Sequence, residues 1–214
     1  GDIISFNATN ITLSPVWAFP WQGDPNISYG KSIPLKPGDN RCRGGALSDH
    51  PHIFDMLRWV TNSDYDYVYA DVADNIRDIK EEDVVYVTGR MKNGCKFLLD
   101  PSWSRLEEKL KRPGPGWEIL PKRMEVNFSI VGTEGVIQAD CFGPNDSYCG
   151  GPNNRYAVQY TYFDEWIGMM DEFCDCILNN KQPKINLQWH RQTVEAMVKC
   201  YESIYTGKPV YLNK

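Results

Sequence analysis

Residues 83–103 read DVVYVTGRMKNGCKFLLDPSW, and this stretch decides the fold class. Two β-rich runs, DVVYVTGRM and CKFLLDPSW, flank Lys92-Asn93-Gly94. Asn and Gly tolerate the left-handed dihedrals of a tight turn, so Asn-Gly between two such runs predicts a β-hairpin. A second hairpin is predicted downstream in MEVNFSIVGTEGVIQAD. There Met124, Val126, Phe128 and Ile130 alternate with polar partners, Gly132-Thr133-Glu134-Gly135 reverses the chain, and Val136, Ile137 and Ala139 return. Upstream, GDIISFNATNIT reads as a strand with Ile4, Phe6 and Ala8 on one face, and YDYVYADVADN as a strand with Tyr65, Tyr67 and Tyr69 alternating. The segment GPNDSYCGGPNNR reads as a loop.

Helical periodicity enters near the C-terminus. Residues 161–179 place Phe163, Trp166, Ile167, Met170, Phe173 and Ile177 on one stripe. Residues 187–205 place Val194, Met197, Val198, Tyr201 and Ile204 on another. Both stripes are expected to face the core. Gly207 ends the second helix, and PVYL returns as a short strand. Hairpins with helices gathered elsewhere predict the α+β class, with one large, open, mostly antiparallel sheet and helices covering one face. Without repeats, low-complexity tracts or an internal boundary, residues 1–214 read as a single domain.

The bulk numbers narrow the partners. The 214 residues are 42% hydrophobic and 24% charged, with a net charge of −5. A negative balance argues against nucleic acid, since phosphate binding needs a basic face. No apolar run approaches the ~20 residues of a bilayer span, and no charged-then-apolar leader opens the chain. The seven cysteines are scattered, so reduced thiols in a cytoplasmic protein are expected. The five Asn-x-Ser/Thr triplets, at Asn7, Asn10, Asn26, Asn127 and Asn145, are read as chance matches in an Asn-rich chain.

Chemistry concentrates in residues 43–61, RGGALSDHPHIFDMLRWVT. Two of the three histidines and two aspartates fall between Asp49 and Asp55. Ile53, Met56, Leu57 and Val60 then mark one face of a helix. The expectation is a Gly-Gly turn feeding a helix whose first turn carries Asp49, His50 and His52. Asp49 and His52, three apart, would share a face, Pro51 would sit in the first turn, and Ser48 or Asp49 would cap it. An imidazole beside a carboxylate is a general-base constellation. The plainer alternative is a capping aspartate and a solvated histidine. A metal site from Asp49, His50 and His52 would need a fourth ligand, for which His190 is the remaining histidine; it is the weakest reading, and no metal is expected. From 14 to 40 the chain is rich in Pro, Gly and Trp and reads as a long loop, in which Trp17, Phe19 and Trp21 would line a pocket or pack on their own domain.

Four stretches give the chain a family resemblance: GDIISFNAT, GGALSDHPHIFDMLRW, FSIVGTEGVIQAD, and the pair EWIGMMDEFCDCILNNKQP with TVEAMVKCYESIYTGKPVYL. In this order they resemble the C-terminal domain of the Gfo/Idh/MocA oxidoreductases, NAD(P)-dependent sugar and polyol dehydrogenases. The resemblance implies an open-sheet domain of the glucose-fructose-oxidoreductase and dihydrodipicolinate-reductase kind. It also implies dimers or tetramers through the free sheet face, and a carbohydrate or polyol substrate. His52 matches the histidine that removes the substrate hydroxyl proton, assisted in the family by an aspartate four residues earlier. That place holds Ser48, and Asp49 is one residue late. Arg43, His50, Lys96, Trp103, Trp17 and Trp21 are further candidates for substrate contact.

The family's other half, a Rossmann domain with a Gly-x-Gly-x-x-Gly turn, has no match here. GPGWEI and RCRGG lack the spacing and the strand–helix context of a pyrophosphate site. NAD or NADP is therefore expected only in a full-length protein, with no cofactor residues in this chain and no activity from it alone. The alternative is a free-standing, non-catalytic binding or assembly module.

Overall fold

The computed structural model describes residues 1–12, 33–34, 42–43, 45–73, 76, 82–104, 125–141, 146–150, 155–159 and 165–212. Its strands are β1 (Ile3–Ile11), β2 (Ile33–Pro34), β3 (Cys42–Arg43), β4 (Tyr65–Val72), β5 (Val85–Met91), β6 (Lys96–Asp100), β7 (Glu125–Gly132), β8 (Gly135–Asp140), β9 (Asp146–Gly150), β10 (Arg155–Gln159) and β11 (Val210–Tyr211). Its helices are α1 (Ala46–Asp49), α2 (Pro51–Thr61), α3 (Glu165–Leu178) and α4 (Leu187–Thr206). Nine strands form one open sheet in the order β10-β9-β8-β7-β1-β6-β5-β4-β11, and β2 pairs with β3 separately. Every neighbouring pair in the large sheet is antiparallel except β1 with β6. This is the predicted α+β architecture.

The hairpin of residues 83–103 forms as β5 and β6. Gly94 takes φ 94° in its turn, and Asn93 ties that turn to the helix layer by donating from Nδ2 to the Thr61 carbonyl at 3.1 Å. Gly89, in β5, has no room for a side chain: a Cβ there would lie 2.2 Å from the Tyr67 carbonyl oxygen. The GTEG segment turns β7 into β8 as predicted, with Val131 opposite Val136.

Two faces differ from the simple alternation. A register shift between Ile3 and Ser5 leaves Ile4 exposed, while Phe6 and Ala8 point into the core. Another, between Tyr65 and Tyr67, keeps Tyr65 buried but makes Val68 and Ala70 its inward successors. A bulge inserts one residue and so reverses the inward set. The segment read as a loop at 143–155 contributes instead to an edge hairpin, β9 with β10. Its Asn, Gly and Pro content hides two short strands that lack apolar alternation.

The core lies between the β1-β6-β5-β4 half of the sheet and the helices α2 and α4. Phe6, Tyr65, Val68, Val87, Phe97 and Leu99 meet Ile53, Phe54, Leu57, Met197, Cys200 and Tyr201. The two helices are also joined by polar groups. Asp55 Oδ1 accepts from the Trp189 indole and from Thr193 Oγ1. The buried Arg58 guanidinium donates to the Trp189 carbonyl at 2.7 Å, to Asp64 at 2.7 Å and to Gln192, and stacks on the Trp189 ring at 4.1 Å. Asn186 caps α4 by accepting from Trp189 N at 3.0 Å, and Gly207, at φ 65°, closes it.

The outcome for α3 differs from the expectation. Met170, Phe173 and Ile177 of its stripe are 51–64% exposed, and no described side chain of α3 is buried. Phe163 lies outside the described residues, and for Trp166 only the backbone is described. The remaining parts of the 14–40 and 105–124 segments are likewise outside the described residues.

Candidate functional site

The site begins at Gly45. Ala46 N donates to the Glu82 carbonyl at 2.9 Å and Leu47 N to Glu82 Oε1 at 3.2 Å. The amides at the start of α1 are therefore occupied by one buried glutamate, which Tyr201 also reaches through its hydroxyl at 2.7 Å. A Cβ on Gly45 would stand 2.2 Å from the Glu82 carbonyl oxygen, so this turn needs glycine.

The predicted single helix is two. α1 ends at Asp49, His50 forms the joint with φ −118° and ψ 57°, and Pro51 opens α2. A proline disfavours helical dihedrals at the residue before it, so the break falls at His50. Asp49 and His52 consequently do not share a turn, and neither Ser48 nor Asp49 is an N-cap. Ser48 instead donates its hydroxyl back to the Gly45 carbonyl at 3.0 Å.

His50 is buried in this joint. Its Nδ1 lies 2.7 Å from the Ala46 carbonyl oxygen, which can only accept, so Nδ1 carries the proton. Nε2 then accepts from the Thr12 hydroxyl at 3.1 Å. Burial pushes the His50 pKa below its ordinary value; the Asp49 carboxylate, 3.9 Å from Nε2, pulls the other way and loses. The same Asp49 Oδ2 accepts from the indole N–H of the fully buried Trp103 at 2.9 Å.

His52 has the opposite environment. It stands exposed on the first turn of α2, while its neighbours Ile53 and Phe54 enter the core. Among the described residues no hydrogen bond joins it to Asp49. Two imidazoles two residues apart thus face different ways: one is a structural bond-former in the joint and the other is open to a ligand.

The remaining candidates are dispersed. Lys96 alternates outward from Phe97 on the opposite sheet face, with Nζ 5.9 Å from the Tyr67 ring centre. Arg43 lies on β3, where only the backbone is described, and Trp17 and Trp21 lie outside the described residues. Among the described residues no group of His, Cys, Asp and Glu could hold a metal ion. Thr12, Glu82 and the Asp55–Trp189 bond were not anticipated from sequence. Each joins residues more than 30 positions apart, where no local pattern reports contact. A cavity of about 280 Å³ including open solvent lies against Arg58, Asp64, Lys92, Gln192 and Glu195 at the C-terminal end of α2, where charges of both signs balance.

The amides that follow Gly45 are not free. Diphosphate binding uses free amides at a helix N-terminus, and here the Glu82 carboxylate and carbonyl already take them.

The family described as GFO/IDH/MocA C-terminal domain matches residues 2–138, from β1 into β8. A comparison with curated proteins finds no match. Among solved structures, a levoglucosan dehydrogenase in complex with NADH and levoglucosan is similar over 100% of this chain, at 17% identity and a TM-score of 0.73. An oxidoreductase from Agrobacterium radiobacter, in complex with NAD+, L-tartaric acid and magnesium, is similar over 99% at 17% identity and a TM-score of 0.68. An aldose-aldose oxidoreductase from Caulobacter crescentus, complexed with glycerol, is similar over 99% at 15% identity and a TM-score of 0.69. This chain spans 60%, 57% and 56% of their respective lengths.

Proposed function

The chain belongs to the GFO/IDH/MocA C-terminal domain family, and on that premise we propose that it is the substrate-binding half of an NAD(P)-dependent dehydrogenase. Its substrate class is a sugar, inositol or amino-sugar derivative carrying the hydroxyl to be oxidised. The observation that carries this reading is the exposed His52 on the first turn of α2, the residue that matches the family's histidine.

His52 takes the hydroxyl proton. A neutral imidazole accepts a proton at its unprotonated ring nitrogen. Asp49 stands at the end of α1, held by Trp103, and takes the assisting role of the family's aspartate. His50 and Trp103, being buried, act on the substrate only through Asp49. Arg43, Lys96, Trp17 and Trp21 are the further candidates for substrate contact.

The nicotinamide nucleotide is held by a separate domain, since the amides that follow Gly45 are taken by Glu82. Homo-oligomers form through the open sheet face, where Tyr86, Leu98 and Tyr211 are exposed. Cys95, Cys174, Cys176 and Cys200 are thiols, which suits a reducing cytoplasm, and no described helix is long and apolar enough to cross a membrane.

The test is His52→Ala in the complete enzyme. Loss of a general base lowers kcat by about 10²–10⁴ with KM little changed. Retained turnover would reject the role.

A further inference from the structure

Of the titratable side chains at the joint between α1 and α2, His50 is the one that takes no direct part in the proposed reaction. Its ring is buried and bonded at both nitrogens. Nδ1–H donates to the Ala46 carbonyl at 2.7 Å, and Nε2 accepts from the Thr12 hydroxyl at 3.1 Å. Both bonds belong to the neutral ring. The same Nε2 stands 3.9 Å from Asp49 Oδ2, the oxygen that already accepts the Trp103 indole N–H at 2.9 Å. One carboxylate oxygen thus lies between two nitrogens, and while His50 is neutral only the indole has a hydrogen to give it.

A proton added to His50 enters at Nε2, because Nδ1 already carries one. Nε2 then becomes a donor and can no longer accept from Thr12. Two acceptors act on the ring, Asp49 and the Pro101 carbonyl, and Asp49 acts the more strongly. A carboxylate adds ion-pair attraction that a neutral carbonyl does not supply. A charge-assisted bond of ~2.8 Å is about 1 Å shorter than the present separation. Rotation of the Asp49 side chain, which is 25% exposed, closes a gap of that size.

His52 completes the set. Among the described residues, Asp49 and His52 are the charged or titratable groups that act on the His50 ring, and they act in opposite directions. Asp49 favours its charged form and His52 disfavours it. Such coupling is reciprocal, so a proton on His50 opposes the arrival of the hydroxyl proton at His52.

We propose that His50 is a positioning residue for the His52–Asp49 base: neutral, it leaves Asp49 to Trp103 and the base in working order; protonated, it captures Asp49 and turns the base off. The inference rests on the dehydrogenase reading and adds an acid-side switch to that same site. Burial pushes the His50 pKa down, which keeps the ring neutral near pH 7 and the base on until the surroundings acidify.

The experiment is the pH profile of sugar or polyol oxidation by the complete enzyme, as wild type and as His50→Gln. In the wild type two protons oppose turnover at low pH, so log(kcat/KM) should approach a slope of about 2 on the acid side, against about 1 in the variant, which keeps only the His52 proton. A slope of about 1 in both overturns the proposal, because protonated His50 then leaves the base working. A second measurement needs no change at His50 and decides the matter if that variant does not fold. In the 214-residue chain, the His50 ring signals and the Trp103 indole N–H signal, assigned with Trp103→Phe, are followed against pH by nuclear magnetic resonance. The indole signal should move with the same midpoint as His50. An indole signal that stays in place while His50 titrates overturns the proposal, and so does unfolding before His50 titrates at all. If the wild-type enzyme oxidises no sugar or polyol, the dehydrogenase reading fails by itself, and the shared midpoint still tests the capture of Asp49.

Discussion

Helices α3 and α4 have the same kind of sequence and opposite fates. Each carries an apolar stripe at helical spacing. That of α4 buries Met197 and Tyr201 against the sheet, and its N-terminal half is bonded to Asp55 and Arg58 of α2. That of α3 is exposed throughout its described length. The difference teaches that amphipathic periodicity specifies that a face will be buried, but not by what. In α4 the covering body is the chain's own sheet; in α3 no described side chain is buried. Burial alone supplies roughly 1.5–3 kcal/mol per large apolar side chain, so α4 is held by the fold while α3 is held by its backbone bonds and two ion pairs.

The largest expected effect comes from loosening the bonded block. Arg58→Ala removes a buried cation shared by Asp64, Gln192 and the Trp189 carbonyl. Breaking such a buried network costs about 3–5 kcal/mol, read as a lowered denaturation midpoint at unchanged slope. Leu57→Ala, in the core face of α2, should cost roughly 2–5 kcal/mol by opening a cavity. A loss below ~1 kcal/mol in either would mean that the α2–α4 block is not the stable half.

A pH series sharpens the comparison next. Because His50 has a folded pKa below its unfolded value, near 6.5, the unfolded state binds the extra proton first. The stability that neutral His50 contributes is therefore complete above the unfolded pKa, and is lost as pH falls from there through the folded pKa. His50→Gln should flatten that acid-side decline in denaturation experiments, while substitutions in α3 should leave it as it is. The smallest effect is expected for Phe173→Ala in the 214-residue chain: a change within about 0.5 kcal/mol, as for exposed positions generally. A larger loss would show that α3 is already covered there.

Much of the architecture was legible because it is local. Asn93-Gly94 and the GTEG turn are short-range signals, and both hairpins formed where they point. The helix stripes were equally legible as helices. Interpretation failed where tertiary context decides. The bulges after Ile3 and Tyr65 have no sequence signature, so Ile4 was assigned to the wrong face. The polar run at 143–155 concealed β9 and the start of β10.

At the candidate site, His52 is proposed from its match to the family, and the Gly-Gly turn was read from composition. The consequence of Pro51 was misjudged: proline at a helix start is easily accommodated, yet it also ends the preceding helix at His50. That break spends Asp49 on Trp103 and buries His50, and the partners that enforce it, Thr12 and Glu82, come from distant parts of the chain.

The most direct test of the account is to follow the ring signals of the three histidines in the isotopically labelled 214-residue chain by nuclear magnetic resonance, while titrating levoglucosan or glycerol. The account predicts that the His52 signals move with added polyol while those of the buried His50 stay in place. Movement at His50 or His190 with His52 unchanged would contradict it.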